Sequence, residues 1–155
     1  MRNFADVVRL PSPTRERIDF GRLVHEVVVF MQSYAEGKGI ALTLVPTKEE
    51  VFILADSGQM EQVLVNVIKN AIEACEPGQR VELRLTPQQL AVRDNGTPIS
   101  PEQSAQLFNP FYSSKPDGQG IGLTLSREIL VNHGFGFSLK THEDGWTEFL
   151  VGLEI

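Results

Sequence analysis

The sequence predicts an α/β sandwich, a mixed sheet with helices on one face, and three observations predict it. Helical and strand patterns alternate along 155 residues in the order helix, strands, helix, strands, helix, strands. Tandem strand patterns at 81–93 and 137–153 need hairpins, which an all-parallel doubly wound sheet does not contain. The composition, 41 % hydrophobic and 22 % charged, is that of a globular chain. At this length one core buries roughly 70 % of the surface that the unfolded chain exposes, so a single self-sufficient domain is expected.

Each element has a local reason. Phe4, Val7, Val8 and Leu10 recur at helical spacing and run into Pro11-Ser12-Pro13, which stops the helix and makes a linker. Asp19 reads as the N-cap of a helix from about Phe20 to Glu36, with Phe20, Leu23, Val24, Val27, Phe30, Met31 and Tyr34 on one face and Gly37 after its end. Strand patterns follow at Gly39–Val45 and Val51–Ala55, separated by Pro46 and Lys48-Glu49-Glu50. Asp56 or Ser57 caps a second helix to about Cys75, closed by Pro77-Gly78. Val81–Leu85 alternates with period two, and Leu90–Arg93 is a further strand after a turn at Pro87-Gln88. A short helix fits Pro101–Phe108, and glycine-rich Asp117–Gly122 leads into a helix to about His133. Strands at Phe137–Thr141 and Thr147–Leu153 end the chain, which has no internal repeat and no low-complexity segment.

Fourteen Lys+Arg against 20 Asp+Glu leave a formal charge of −6. That balance argues against a nucleic-acid groove or a polybasic membrane patch, but not against an anionic small ligand held by backbone amides at a helix N-terminus. Cys75 is the only cysteine, so neither an internal disulfide nor a cysteine zinc site can form, which fits a reducing, cytoplasmic setting. The longest apolar runs, such as Val27–Met31, are far short of a membrane span, and the N-terminus lacks the apolar core of a signal peptide. The abrupt start suggests a piece of a longer protein.

Four segments carry candidate chemistry. In Gln59–Ala74, Met60, Val63, Leu64, Val67, Ile68 and Ala71 form an apolar face, while Gln62, Asn66, Asn70 and Glu73 share the other side. Asparagine is a poor interior helix residue, at roughly 0.6 kcal/mol each relative to alanine. A carboxamide oxygen can complete the shell of a magnesium ion whose other ligands are phosphates and water, whereas a solvated helix face would merely tolerate Asn. Asp94-Asn95-Gly96 at a strand end is first of all a turn. It could also be a site in which Asp94 accepts a hydrogen bond from an exocyclic amine and Gly96 lets a flat ring lie against the backbone. A carboxylate there selects adenine, because guanine offers a carbonyl acceptor at the equivalent position.

Gly118-Gln119-Gly120-Ile121-Gly122-Leu123 opens a helix whose orphan amides can meet phosphate oxygens, yet its spacing is neither a dinucleotide fingerprint nor a Walker loop. Just upstream, Leu107–Lys115 holds three aromatics in five residues. They either anchor the glycine loop to the core or form the apolar end of a closing lid, from which Lys115 could reach a terminal phosphate. His25-Glu26 lies on the polar stripe of its helix and lacks the second histidine of a zincin, and His133-Gly134 falls where a helix C-terminus and its glycine cap belong.

Asn-x-x-x-Asn-Ala, Asp-Asn-Gly, Phe-x-Pro-Phe and Gly-x-Gly-x-Gly-Leu, in that order, resemble the catalytic ATP-binding domain of bacterial sensor histidine kinases. These kinases are members of the Bergerat-fold ATPases, with gyrase-type and mismatch-repair ATPases and anti-sigma-factor kinases. The resemblance covers almost the whole chain. The short lid, with only Pro116 and Asp117 between Lys115 and Gly118, is most similar to the nitrogen-regulation type.

The fold so implied is a two-layer α/β (α+β) sandwich, a mixed, mainly antiparallel sheet of about five strands with three main helices on one face. Residues 1–14 would be the end of a dimerisation helix and a linker, and 15–155 the catalytic domain. Carried over, Asn70 coordinates magnesium with Asn66 beside it near the phosphates, and Asp94 binds the adenine amine with Gly96 against the ring. Gly118, Gly120 and Gly122 frame the triphosphate, with Leu123 closing the same nucleotide-binding motif, and Lys115 contacts it from the lid. Thr147, in a Gly-x-Thr-x-Phe stretch, supports the adenine-side hydrogen bonding.

Three departures stand out. Pro98 replaces the second glycine of the family's Asp-x-Gly-x-Gly box, fixing φ and removing an amide. Phe135 stands where a second glycine commonly follows the helix end. The phospho-accepting His-Glu-x-x-x-Pro is absent, since His25-Glu26 has no such proline and lies on the wrong helix. ATP-hydrolysing relatives resemble one another in carrying Glu four residues before the magnesium asparagine, and here that residue is Asn66, which cannot accept a proton at neutral pH. The resemblance therefore implies transfer of the γ-phosphate of ATP, with Mg, to a histidine on the missing helix, and then to a response regulator. The parent would be a homodimeric receptor or cytoplasmic sensor. A degenerate module that binds nucleotide weakly and serves as an interaction domain is the alternative, kept open by Pro98, with hydrolysis third.

Overall fold

The first long helix, α1 (Phe20–Gly37), forms because Asp19 accepts the Arg22 N–H at 3.0 Å and a stripe of Phe20, Val24, Val27, Val28, Met31 and Ala35 is buried. It ends in a Schellman turn: Ile40 N–H donates to the Ala35 carbonyl and Gly39 N–H to that of Glu36, with Gly39 at φ +75°. The helix thus keeps Gly37, and Gly39 is the residue that stops it. Phe30, expected on the apolar face, is 73 % exposed. At 100° per residue it lies about 110° from the centre of the stripe, and Val28 takes the buried place instead.

A computed structural model describes residues 10–106 and 121–154, the side chains of 121 and 122 excepted. The remaining elements are strands β1 (Glu16–Asp19), β2 (Ala41–Leu44), β3 (Phe52–Ala55), β4 (Arg80–Leu85), β5 (Gln89–Asp94), β6 (Gly136–Thr141) and β7 (Thr147–Gly152), and helices α2 (Ser57–Glu73), α3 (Pro101–Gln106) and α4 (Ile121–His133). Five strands form one sheet in the order β2-β4-β5-β7-β6, parallel only between β2 and β4. This is the mixed, mainly antiparallel two-layer sandwich expected. β1 pairs antiparallel with β3 in a separate two-stranded sheet, which the sequence pattern did not reveal. Among the described residues no helix is long and apolar enough to cross a membrane.

The core lies between the five-stranded sheet and the three long helices. Val81, Leu83 and Leu85 of β4 and Leu90 and Val92 of β5 meet Met60, Leu64, Ile68 and Ile72 of α2, the central helix, which packs between α1 and α4. Asp56 caps α2, accepting the Gln59 N–H at 3.1 Å, and its other oxygen accepts the Thr14 N–H at 2.9 Å. These bonds hold the Asp56 carboxyl below the usual carboxylate range. Residues 10–15 lie along this corner, with Gln59 Nε2 donating to the Pro11 carbonyl and Arg15 to that of Asn132.

His133 does more than end α4. Gly134, at φ +78°, closes the helix as expected. The His133 ring is buried, its Nδ1–H donates to the Ile129 carbonyl at 2.7 Å, and Nε2 accepts the Asp56 N–H at 3.0 Å. Those partners define a neutral imidazole with the proton on Nδ1. Phe135, in place of a glycine, is buried and stacks on that ring at 5.6 Å. His25 is exposed on the polar face beside the Arg22–Glu26 pair.

Candidate nucleotide site

A cavity of about 390 Å³ opens between α2, the end of β5, the start of β7 and α4. Its wall includes Asn70, Ala71 and Glu73 of α2, Asp94, Thr97, Pro98 and Ile99 after β5, Leu123 of α4, and Thr147 and Phe149 of β7. Four of the sequence-predicted residues, Asn70, Asp94, Leu123 and Thr147, are thereby brought together. Asn66 is one turn earlier on α2 and lies outside this lining. Lys115, Gly118, Gly120 and the aromatic run 107–115 fall outside the described residues, and Gly122 stands in the first turn of α4.

Asp94 ends β5 on the face that carries Leu90 and Val92 inward, so the residue is only 5 % exposed. Burial pushes its pKa up from 3.8 to about 6, with the Gly96 N–H, donated to Oδ1 at 3.0 Å, working in the opposite sense. Burial, reinforced by the charge of Asp94, drives the neighbouring Cys75 thiol up to about 11, so Cys75 is an inert neutral thiol.

The geometry gives Gly96 a different reason from the one its motif suggests. A Cβ built there would sit 2.2 Å from the Ala74 carbonyl oxygen, so it is the end of α2 that excludes any side chain. Thr97 N–H donates to the same carbonyl at 2.9 Å, and Asn95 is bound on both sides, its Oδ1 accepting Arg80 N–H at 2.7 Å and its carbonyl accepting from Gln79. The Asp-Asn-Gly turn is therefore riveted to α2 and β4.

Thr147 pairs in register with Asp94 on one side and with Thr141 on the other. Its hydroxyl lies 2.6 Å from that of Thr141, which accepts the Ile99 N–H at 2.8 Å. Thr141 and Ile99 escaped the motif reading. The available signal was a threonine at the third inward position of the Phe137, Leu139, Thr141 alternation. Among the described residues no group of three or more His, Cys, Asp or Glu could hold a metal ion by itself.

The mixed five-stranded sheet under a layer of helices is the architecture of solved histidine-kinase catalytic domains. Residues 55–155 match the family described as "Histidine kinase-, DNA gyrase B-, and HSP90-like ATPase", and the chain belongs to that family. Its curated relatives over this region include sporulation kinases and sensor proteins, and its fold is that of a histidine-kinase catalytic domain. Sporulation kinase A of Bacillus subtilis (strain 168) is 28 % identical over 144 residues, covering 90 % of this chain and 24 % of that kinase. The nucleotide-free catalytic domain of histidine kinase ThkA superimposes with a TM-score of 0.80 at 24 % identity, over 90 % of this chain and 94 % of that one. Full-length ShkA in complex with AMPPNP matches with a TM-score of 0.75 at 25 % identity, over 90 % of this chain and 31 % of that one. The chain spans about a quarter of the length of the curated relatives it matches.

Proposed function

We propose that this domain binds MgATP in the Asp94 cavity and presents the γ-phosphate to a histidine on a dimerisation helix of the same protein, not to water. The observation that carries the reading is the convergence of Asp94, Thr147 and Asn70 on one cavity of about 390 Å³. Such a volume lies within the range of roughly 300–1,000 Å³ usual for small-molecule sites. Asp94, as carboxylate, accepts a hydrogen bond from the adenine exocyclic amine, and guanine would set a carbonyl against it. Thr147 supports the same edge of the base, with Leu123 and the carbon skeleton of Pro98 as apolar walls.

Magnesium, when bound, neutralises phosphate charge and orients the γ-phosphate. Asn70 would supply one oxygen and the phosphates and water the rest. Asn66 stands near the phosphates, and its carboxamide is no general base, which favours transfer over hydrolysis. Gly122 and Leu123 open α4, and Gly118, Gly120 and Lys115 before them have the phosphate-facing roles implied by the motif. The acceptor imidazole belongs to the dimerisation helix, the parent acts as a homodimer, and a response regulator's aspartate receives the phosphoryl group. Pro98 supports a second reading, a weakly binding interaction module, but the cavity stays open with Pro98 in its wall.

Titration calorimetry with a non-hydrolysable ATP analogue, with and without magnesium and against the GTP analogue, tests the proposal. Adenine-selective, magnesium-dependent binding supports it, and no binding up to millimolar ligand sinks it in favour of the interaction module.

A further inference from the structure

We infer that Thr141, which does not line the cavity, is a positioning and specificity-determining residue for the nucleotide, acting through Ile99 and Thr147. The inference rests on the reading of this cavity as an adenine site.

One hydroxyl serves two walls. On one side Thr141 Oγ1 accepts the Ile99 N–H at 2.8 Å. Pro98 has no N–H, so Ile99 is the first residue after Thr97 that can tie this rim to the sheet. Beyond it, Ser100 and Gln103 cap α3 reciprocally, and the Ser104 hydroxyl donates to the Leu139 carbonyl, so the rim is docked on β6 from Ile99 to Ser104.

On the other side Thr141 Oγ1 and Thr147 Oγ1 are 2.6 Å apart, a short hydrogen bond. Thr147 is buried and directly opposite Asp94 in the β5–β7 register. A threonine hydroxyl rotates to suit its partners. The bond to Thr141 removes that freedom and decides whether Thr147 turns its proton or its lone pairs toward the base. Thr141 therefore sets both the distance of the Pro98–Ile99 wall from the sheet and the polarity of the hydroxyl beside Asp94. Without it, two polar groups at the edge of the cavity, the Ile99 N–H and the Thr147 hydroxyl, lose their partner together.

The test compares the parent with Thr141→Val, which keeps the shape and removes the hydroxyl, and Thr141→Ser, which keeps the hydroxyl. ATP- and GTP-analogue affinities are measured by calorimetry with magnesium, alongside thermal unfolding. Thr141→Val should weaken the ATP analogue about tenfold, roughly the effect of one or two lost hydrogen bonds, and narrow the ATP/GTP preference. Thr141→Ser should restore both. A purely structural role would lower thermal stability without moving the ATP/GTP ratio, and that outcome overturns the inference, as does parent-like binding by the valine variant. Should Thr141→Val not fold, the Ile99 amide of the parent decides by hydrogen exchange: strong protection without nucleotide supports the clamp, and exchange at the rate of an open loop refutes it. A parent that fails to bind the ATP analogue refutes the adenine site itself, so the two failures are told apart.

Discussion

Replacing Asp94 by asparagine should make the empty domain more stable while destroying its selectivity for adenine. The residue is 5 % exposed, and burial raises the pKa of its carboxyl to about 6 against 3.8 for an ordinary aspartate. Because the folded state holds this proton more tightly than the unfolded chain, the group favours folding fully only below pH ~3.8, and that contribution is lost as pH rises through about 6. At about pH 7.5 the charged carboxylate therefore leaves the fold about 3 kcal/mol less stable than a neutral isostere would, at ~1.36 kcal/mol per tenfold change in acidity. Asparagine carries no charge and keeps an oxygen for the Gly96 N–H. Urea unfolding of Asp94→Asn should show a gain of up to ~3 kcal/mol at about pH 7.5, shrinking to roughly half at about pH 5. In a domain of this size that gain is a rise in Tm of about 6–12 °C. ATP-analogue affinity should fall, and the preference over the GTP analogue should vanish. A variant less stable than the parent at about pH 7.5, or a gain that does not shrink on acidification, would refute the account of a buried, strained charge.

Three further outcomes follow from the same geometry. Gly96→Ala should cost roughly 1–3 kcal/mol in urea unfolding, because its Cβ meets the Ala74 carbonyl, and an unchanged midpoint would contradict the contact. His133→Ala should lose about 2–4 kcal/mol, since it opens a cavity and strands the Asp56 N–H; a loss under 1 kcal/mol would argue against the bridge. Asn70→Ala should abolish the difference between ATP-analogue affinities with and without magnesium, as read by calorimetry, and a variant that keeps the parent's magnesium dependence would remove Asn70 from the metal's shell.

The helices were legible because their ends carry explicit chemistry. Asp19 and Asp56 cap where the pattern places them, and the buried stripes repeat at helical spacing. β1 was not legible, since Ile18 is its one apolar residue among Glu16, Arg17 and Asp19, and only the edge offered by β3 makes it a strand. Phe30 reads as a core residue because apolar residues crowd 27–31 from all sides, and only the angle around the helix separates it from Val28. In the site, Asn70 stands out as a poor interior helix residue, whereas Asp94 reads by itself as part of a turn and gains its role only from the order of the motifs. The reason for Gly96 was not legible, because the carbonyl that excludes its side chain belongs to a residue 22 positions earlier in the chain, at Ala74. The Thr141 clamp was equally hidden, since it joins residues 42 apart and no short motif spans that separation.

What these long-range contacts share is the fixing of α2. At its first turn, Asp56 is held by Thr14 and by the His133 ring of α4, and at its last, the Ala74 carbonyl accepts from Thr97 while Gly96 presses against it. Between the two, Met60, Leu64, Ile68 and Ile72 are locked in the core. A helix clamped at both ends and along one side has no freedom to rotate or slide, so Asn66 and Asn70 on its other side inherit the rigidity of the core. Asp94 is joined to the same frame through Gly96. The distance between the carboxylate that would read the base and the carboxamide that would face the phosphates is therefore set by the scaffold, with no loop between them. A nucleotide that spans both meets a preformed ruler, and base selectivity and phosphate placement become one property of α2 and the turn pinned to its end.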